Sequence, residues 1–129
     1  MNKLAMSFAA FYGATGVIFG AFGAHILKQN LSIEQLSSFD TGTKYQLIHA
    51  LVLLVLAFNQ DKLSKKLYFP IVLLMSIGIL FFSFSIYLLS TKSITGIENI
   101  GFLGPITPIG GSLIIFSWIL LFISSFKNN

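Results

Sequence analysis

The chain has no cysteine and no arginine, and only four acidic residues in 129. Without cysteine there is no disulfide, no thiolate nucleophile and no cysteine metal site. Without arginine there is no planar fork for clamping carboxylates or phosphates in bidentate fashion. Charge as a whole is scarce: 9% of residues carry one, where a soluble domain has about 25%. Twelve charged side chains, eight lysines and four acids, cannot coat a soluble surface of this size. An ordinary soluble enzyme, a disordered chain and a nucleic-acid binder are excluded on that ground. What the chain has instead is apolar: 55% of residues are hydrophobic and 14 are phenylalanine.

The apolar residues fall into four runs. Leu4 to Ala24 holds no charge. Tyr45 to Phe58 extends to about 43–60 if a polar first turn sits at the interface. The third run is Leu67 to Leu89, and the fourth starts at Leu103 or Pro108 and ends at Phe126. A helix needs about 20 residues to cross the hydrocarbon, with about 17 tolerated. No alternating strand pattern covers these runs, and open sheet edges do not exist in lipid. The expected fold is therefore an all-α integral membrane protein, one four-helix bundle with spans at about 4–24, 43–60, 67–89 and 105–126. The first run exceeds the 7–15 residues of a signal-peptide core, so it is expected to stay. In the first loop, Ser32 and Gln35 match a capping box, and Ile33, Leu36 and Phe39 recur every third residue. That spacing predicts a short helix lying in the interface.

Four spans put both termini on one side. That side carries Lys3, Lys62, Lys65, Lys66 and Lys127; the other carries Lys28, Lys44 and Lys92. The positive-inside rule then places both termini in the cytoplasm.

Small residues mark the expected packing. Gly13, Gly16, Gly20 and Gly23 lie three or four apart on the first helix, and small residues let helices approach in lipid. Helix one is expected at the packing centre, against the other helices of its own chain rather than a second copy. The fourth helix is expected to start with Thr107 as N-cap and Pro108 in the first helical position. Gly110 and Gly111 leave its first turn bare.

A polar set is expected at the outer end of the bundle: His25, Lys44, Tyr45, His49 and Thr107. Tyr45 and His49 share a helix face, and an ionisable residue inside a span usually faces the bundle interior. Two histidines without a helix-borne carboxylate are too few for a metal site. No acid lies in a span to serve a proton relay. Two readings stay open for the set: it caps and ties the helix ends, or it binds an anion such as a lipid phosphate.

Four motifs in order resemble one family. They are Gly20–His25, Thr43–Gln46 followed by His49–Leu51, Phe81–Ser83 through Tyr87, and Pro105–Gly111 followed by Trp118. Together they resemble the YwdK-like family of small bacterial membrane proteins (UPF0382, DUF423), whose function is unknown. Two positions depart from its pattern: Phe84 and Ser117 stand where the family has glycine, which puts close packing at those points in question. The resemblance implies a multi-pass plasma-membrane protein and no catalytic residue, metal or cofactor. The expected function is non-enzymatic: binding of lipid headgroups or a partner membrane protein at the outer face. The alternative is a small transporter working as a dimer. The expected partners are membrane lipids, another membrane protein or the chain itself, and no nucleic acid.

Overall fold

The computed structural model describes residues 1–127 and is built from four long helices. They are α1 (Lys3–His25), α2 (Ile33–Phe58), α3 (Lys65–Ser90) and α4 (Leu103–Ser125). Each is long and apolar enough to cross a membrane. At about 1.5 Å per residue, 23–26 residues reach roughly 35–39 Å, more than the hydrocarbon core of about 30 Å. Among the described residues there is no strand.

The helices run antiparallel in sequence. The backbone N–H of Asn2 donates to Ala57 O at 2.8 Å, and the Asn2 side chain caps α1 by accepting from Ala5 N at 3.0 Å. At the same end, Ser64 N donates to the Ser124 hydroxyl at 2.9 Å. The start of α1 and the end of α4 therefore lie at one end of the bundle, with the α2–α3 turn.

The capping box forms as expected. Gln35 N donates to Ser32 Oγ at 3.2 Å, and Ser32 N donates to Gln35 Oε1 at 3.0 Å. The helix it starts is not a separate interfacial element. It runs on without a break through Gly42 into the second span, so α2 begins about ten residues before the expected 43. No proline interrupts residues 33–58, and Gly42 is needed for packing: a Cβ there would meet the Tyr87 ring at 2.7 Å.

Helix α4 also starts earlier than expected. Its N-cap is Phe102, not Thr107. Pro105 falls within the first four positions, where an N–H has no intrahelical partner and its loss costs nothing. Pro108 lies one turn further in and leaves a single carbonyl, that of Gly104, without its helix donor.

The centre of the bundle is α2 and α3, not α1. Of the most apolar 18 residues of each helix, 44% in α2 and 50% in α3 are buried, against 22% in α1 and 17% in α4. The glycines explain the correction. A Cβ at Gly16 would come within 2.7 Å of Leu47, and one at Gly23 within 3.2 Å of Phe39, so these two face α2. At Gly13 and Gly20 it would meet nothing within 4 Å. The small-residue face is thus split, and Gly20 is not part of the seam.

The tightest approach joins α3 to α4. A Cβ at Gly78 would lie 2.9 Å from Ile114 N, and one at Gly110 would overlap Phe82 N and lie 2.9 Å from Gly78 O. Gly111 has ordinary clearance, 3.6 Å to Phe82. Beside this contact α3 widens into a π-helical turn over Leu80–Phe84. Such turns shift the register of every later side chain on the helix.

Phe84, expected to disturb packing, fills space instead. It packs edge-on against Phe19 (5.8 Å between centroids) and Tyr87 (5.5 Å). Phe39 joins them, 4.8 Å from Tyr87. Ser117, the other departure, is fully buried and donates to Ile71 O at 2.8 Å. The hydroxyl adds a bond between α4 and α3 that glycine could not make.

Candidate functional site

Gln46, one turn before His49 on α2, is a wholly buried polar residue. Its amide nitrogen donates to Tyr12 O at 2.9 Å and to Thr15 Oγ1 at 2.6 Å. Its carbonyl oxygen accepts from the Tyr87 hydroxyl at 2.6 Å. The Tyr12 hydroxyl donates to Ser76 O at 2.7 Å, and Ser83 donates to Gly42 O at 2.8 Å. The network ties α1, α2 and α3 together in the middle of the bundle. No buried side-chain polar atom among the described residues lacks a partner. A polar network in lipid that is fully satisfied rigidifies the packing and leaves no group to recruit water.

The five residues expected to meet at the outer end are distributed over several contacts. His49 is buried at mid-span and holds two bonds. The Trp118 indole N–H donates to His49 Nε2 at 3.1 Å, and His49 Nδ1 lies 2.7 Å from Tyr45 O. An indole nitrogen can only donate and a carbonyl can only accept. The two bonds therefore assign His49 the neutral tautomer with its proton on Nδ1. Tyr45 is half-exposed, with its ring 6.1 Å from His49 and 5.1 Å from Phe82. Thr107 shares a 2.7 Å hydroxyl bond with Ser85. Eleven residues separate Thr107 from Trp118, about 16 Å along the helix, so His49 and Thr107 occupy different depths. Lys44 is exposed and paired with Asp40 at 2.9 Å. His25 is exposed at the end of α1 and takes part in none of these contacts. The start of α2 lies at Ser32, where its own capping box bonds the N–H groups of Ser32 and Gln35 and Glu34 adds a negative charge to the first turn. No group of three or more metal-ligating side chains occurs among the described residues.

The profile of a family described as "Protein of unknown function (DUF423)" matches residues 19–111. The chain belongs to this family. DUF423 relatives align along nearly all of it. A UPF0382 membrane protein from a bovine strain of Staphylococcus aureus is 38% identical over 97% of both chains. The UPF0382 membrane protein YwdK of Bacillus subtilis is 41% identical over 84% of both. A UPF0382 membrane protein of Haemophilus influenzae is 36% identical over 99% of this chain and 98% of its own. No solved structure matches. The matched DUF423 segment contains Gln46, His49, the π turn and Gly110, but ends before Ser117 and Trp118.

Open space in this DUF423 chain lies on its flanks. A groove of about 380 Å³ between α1 and α2 is lined by Phe19, Gly20, Gly23, Phe39, Asp40 and Thr43. Gly20 lies open in its wall, with nothing within 4 Å of where a Cβ would stand. A second groove of about 380 Å³ lies between α2 and α4 toward the end that holds the termini, with Trp118 in its wall.

The reading from sequence did not single out Gln46, Tyr12 or Tyr87 as a set. A usable signal was present: Gln46 is a polar residue inside an apolar run, three positions from His49 and so on nearly the same face.

Proposed function

We propose that the protein is a non-catalytic plasma-membrane protein that works through its flanks, where it binds phospholipid. One observation carries this reading. The polar interior is closed by its own hydrogen bonds, while the groove between α2 and α4 opens sideways between apolar walls, where lipid tails lie. A transporter would need a polar path with a group that binds and releases its cargo; His49 is a histidine buried inside a span, and both its nitrogens are bonded. The lysine distribution supports placing the end with both termini in the cytoplasm. The anion role at the outer face loses support from the Lys44–Asp40 pair. An exposed ion pair of this kind is worth little to stability, but it lowers the net charge that would draw an anion.

The test is native mass spectrometry of the full chain released from a mild detergent. The reading expects phospholipid adducts that persist at collision energies sufficient to strip detergent. Bare protein alone under those conditions overturns it. Proteoliposomes that pass small ions or amines faster than protein-free vesicles overturn it in favour of transport.

A further inference from the structure

The groove between α2 and α4 differs in chemistry from the one beside α1. Its walls are apolar, formed by Leu51, Val55, Trp118 and Leu121, and its polar residues, Asn59 and Lys62, belong to the α2–α3 turn. It therefore has a greasy length and a cationic mouth. From Leu51 to Asn59 is eight residues, about 12 Å along the helix. That is most of one leaflet's share of a hydrocarbon core about 30 Å thick. Lys62 supplies the charge of this lining; Asp61 of the same turn and Lys65 at the start of α3 line a separate cleft beside Asn2.

We propose that this groove holds one acyl chain of an anionic phospholipid from the leaflet at the Lys62 end, with the Lys62 ammonium on its phosphate. The proposal rests on the lipid-binding reading above and names the site and lipid class. The positive-inside assignment makes that leaflet the cytoplasmic one, which is where anionic headgroups concentrate. The apolar wall holds any tail; the lysine selects the headgroup. An uncharged or zwitterionic lipid fits the groove and gains nothing net at its mouth.

Trp118 is the sole tryptophan of the chain and lines the groove, so its fluorescence reports the lipid seated there. The full chain is reconstituted in vesicles of phosphatidylcholine and phosphatidylglycerol, with bromine placed on the acyl chains of one lipid at a time. Brominated phosphatidylglycerol is expected to quench Trp118 as though bound about fivefold more tightly than brominated phosphatidylcholine, the preference one surface lysine supplies. Lys62→Gln is expected to abolish the preference. Lys92→Gln, at the opposite end of the bundle, is expected to keep it. Equal quenching by the two lipids in the unaltered chain overturns the proposal. So does a preference that survives Lys62→Gln, or one lost equally in Lys92→Gln. Phospholipid retained in native mass spectra without any Trp118 preference overturns this groove and leaves the lipid-binding reading standing. Loss of both signals removes both.

Discussion

Replacing Gln46 with leucine tests whether the polar network holds the helices in place. The two side chains are similar in volume, so the change removes polarity without opening a large cavity. Three hydrogen bonds disappear, to Tyr12 O, Thr15 Oγ1 and from the Tyr87 hydroxyl. Interhelical bonds in membrane proteins average about 0.6 kcal/mol each, so three come to about 2 kcal/mol. The partners fare unequally. Tyr12 O keeps its own helix bond, and Thr15 still donates to Phe11 O. The Tyr87 hydroxyl loses its acceptor and keeps only Ser83 beside it, and a buried hydroxyl left poorly bonded costs about 1 kcal/mol. Removing that hydroxyl as well should return part of the loss. Gln46→Leu is therefore expected to destabilise by about 2 kcal/mol, and Gln46→Leu with Tyr87→Phe by about 1 kcal/mol. Reversible unfolding in mixed micelles, followed by circular dichroism, reads both. The reasoning is refuted if Gln46→Leu unfolds like the unaltered chain, or if the double variant is no more stable than Gln46→Leu alone.

Glycine substitutions should separate the helix seams. Gly110→Ala is expected to cost about 2 kcal/mol or more, because the new methyl falls on the backbone of α3. Gly20→Ala should melt within about 0.5 kcal/mol of the unaltered chain, since the position is open; equal losses at both glycines count against the placement of the seam. Phe84→Ala should cost about 2–3 kcal/mol, somewhat below the 3–5 kcal/mol of a fully buried phenylalanine, and a neutral result in the same unfolding assay means the aromatic cluster is not a packing unit. Topology reporters fused at Gln60 and at Asn129 should both read cytoplasmic, with one inserted at Gly96 reading outside; any reversal contradicts the lysine-based orientation.

The four spans were legible because a membrane imposes a length and a composition, and residues 4–24 or 67–89 meet both without help from tertiary contacts. The capping box at Ser32 was legible for a similar reason: it is a local exchange of bonds three residues apart. Its continuity with α2 was not. Hydropathy falls between Asp40 and Lys44, and a helix that protrudes beyond the hydrocarbon carries no apolar signal at that point. Gly16 and Gly20 look equivalent along the chain, yet one lies under Leu47 and the other beside empty space. That difference belongs to the neighbour, not the glycine. The same holds for Gln46, Tyr12 and Tyr87, whose bonds cross 34 and 41 positions. The π turn has no composition of its own, and the Ser85 that follows it meets Thr107 across 22 positions of chain. The order of residues along the chain does not give the depths at which His25, Lys44, Tyr45, His49 and Thr107 lie.

The central claim is that the interior is closed and dry, and the absence of cysteine makes it directly measurable. Ser83 and Ser76 are 0% and 1% exposed and nearly isosteric with cysteine. Single variants Ser83→Cys and Ser76→Cys, with Lys62→Cys as the accessible reference, are treated in proteoliposomes with a membrane-impermeant maleimide from either side. A closed core predicts that Lys62→Cys is labelled and the two serine positions only after denaturation. Labelling of Ser83→Cys or Ser76→Cys in the folded protein would show water reaching mid-membrane and contradict the account.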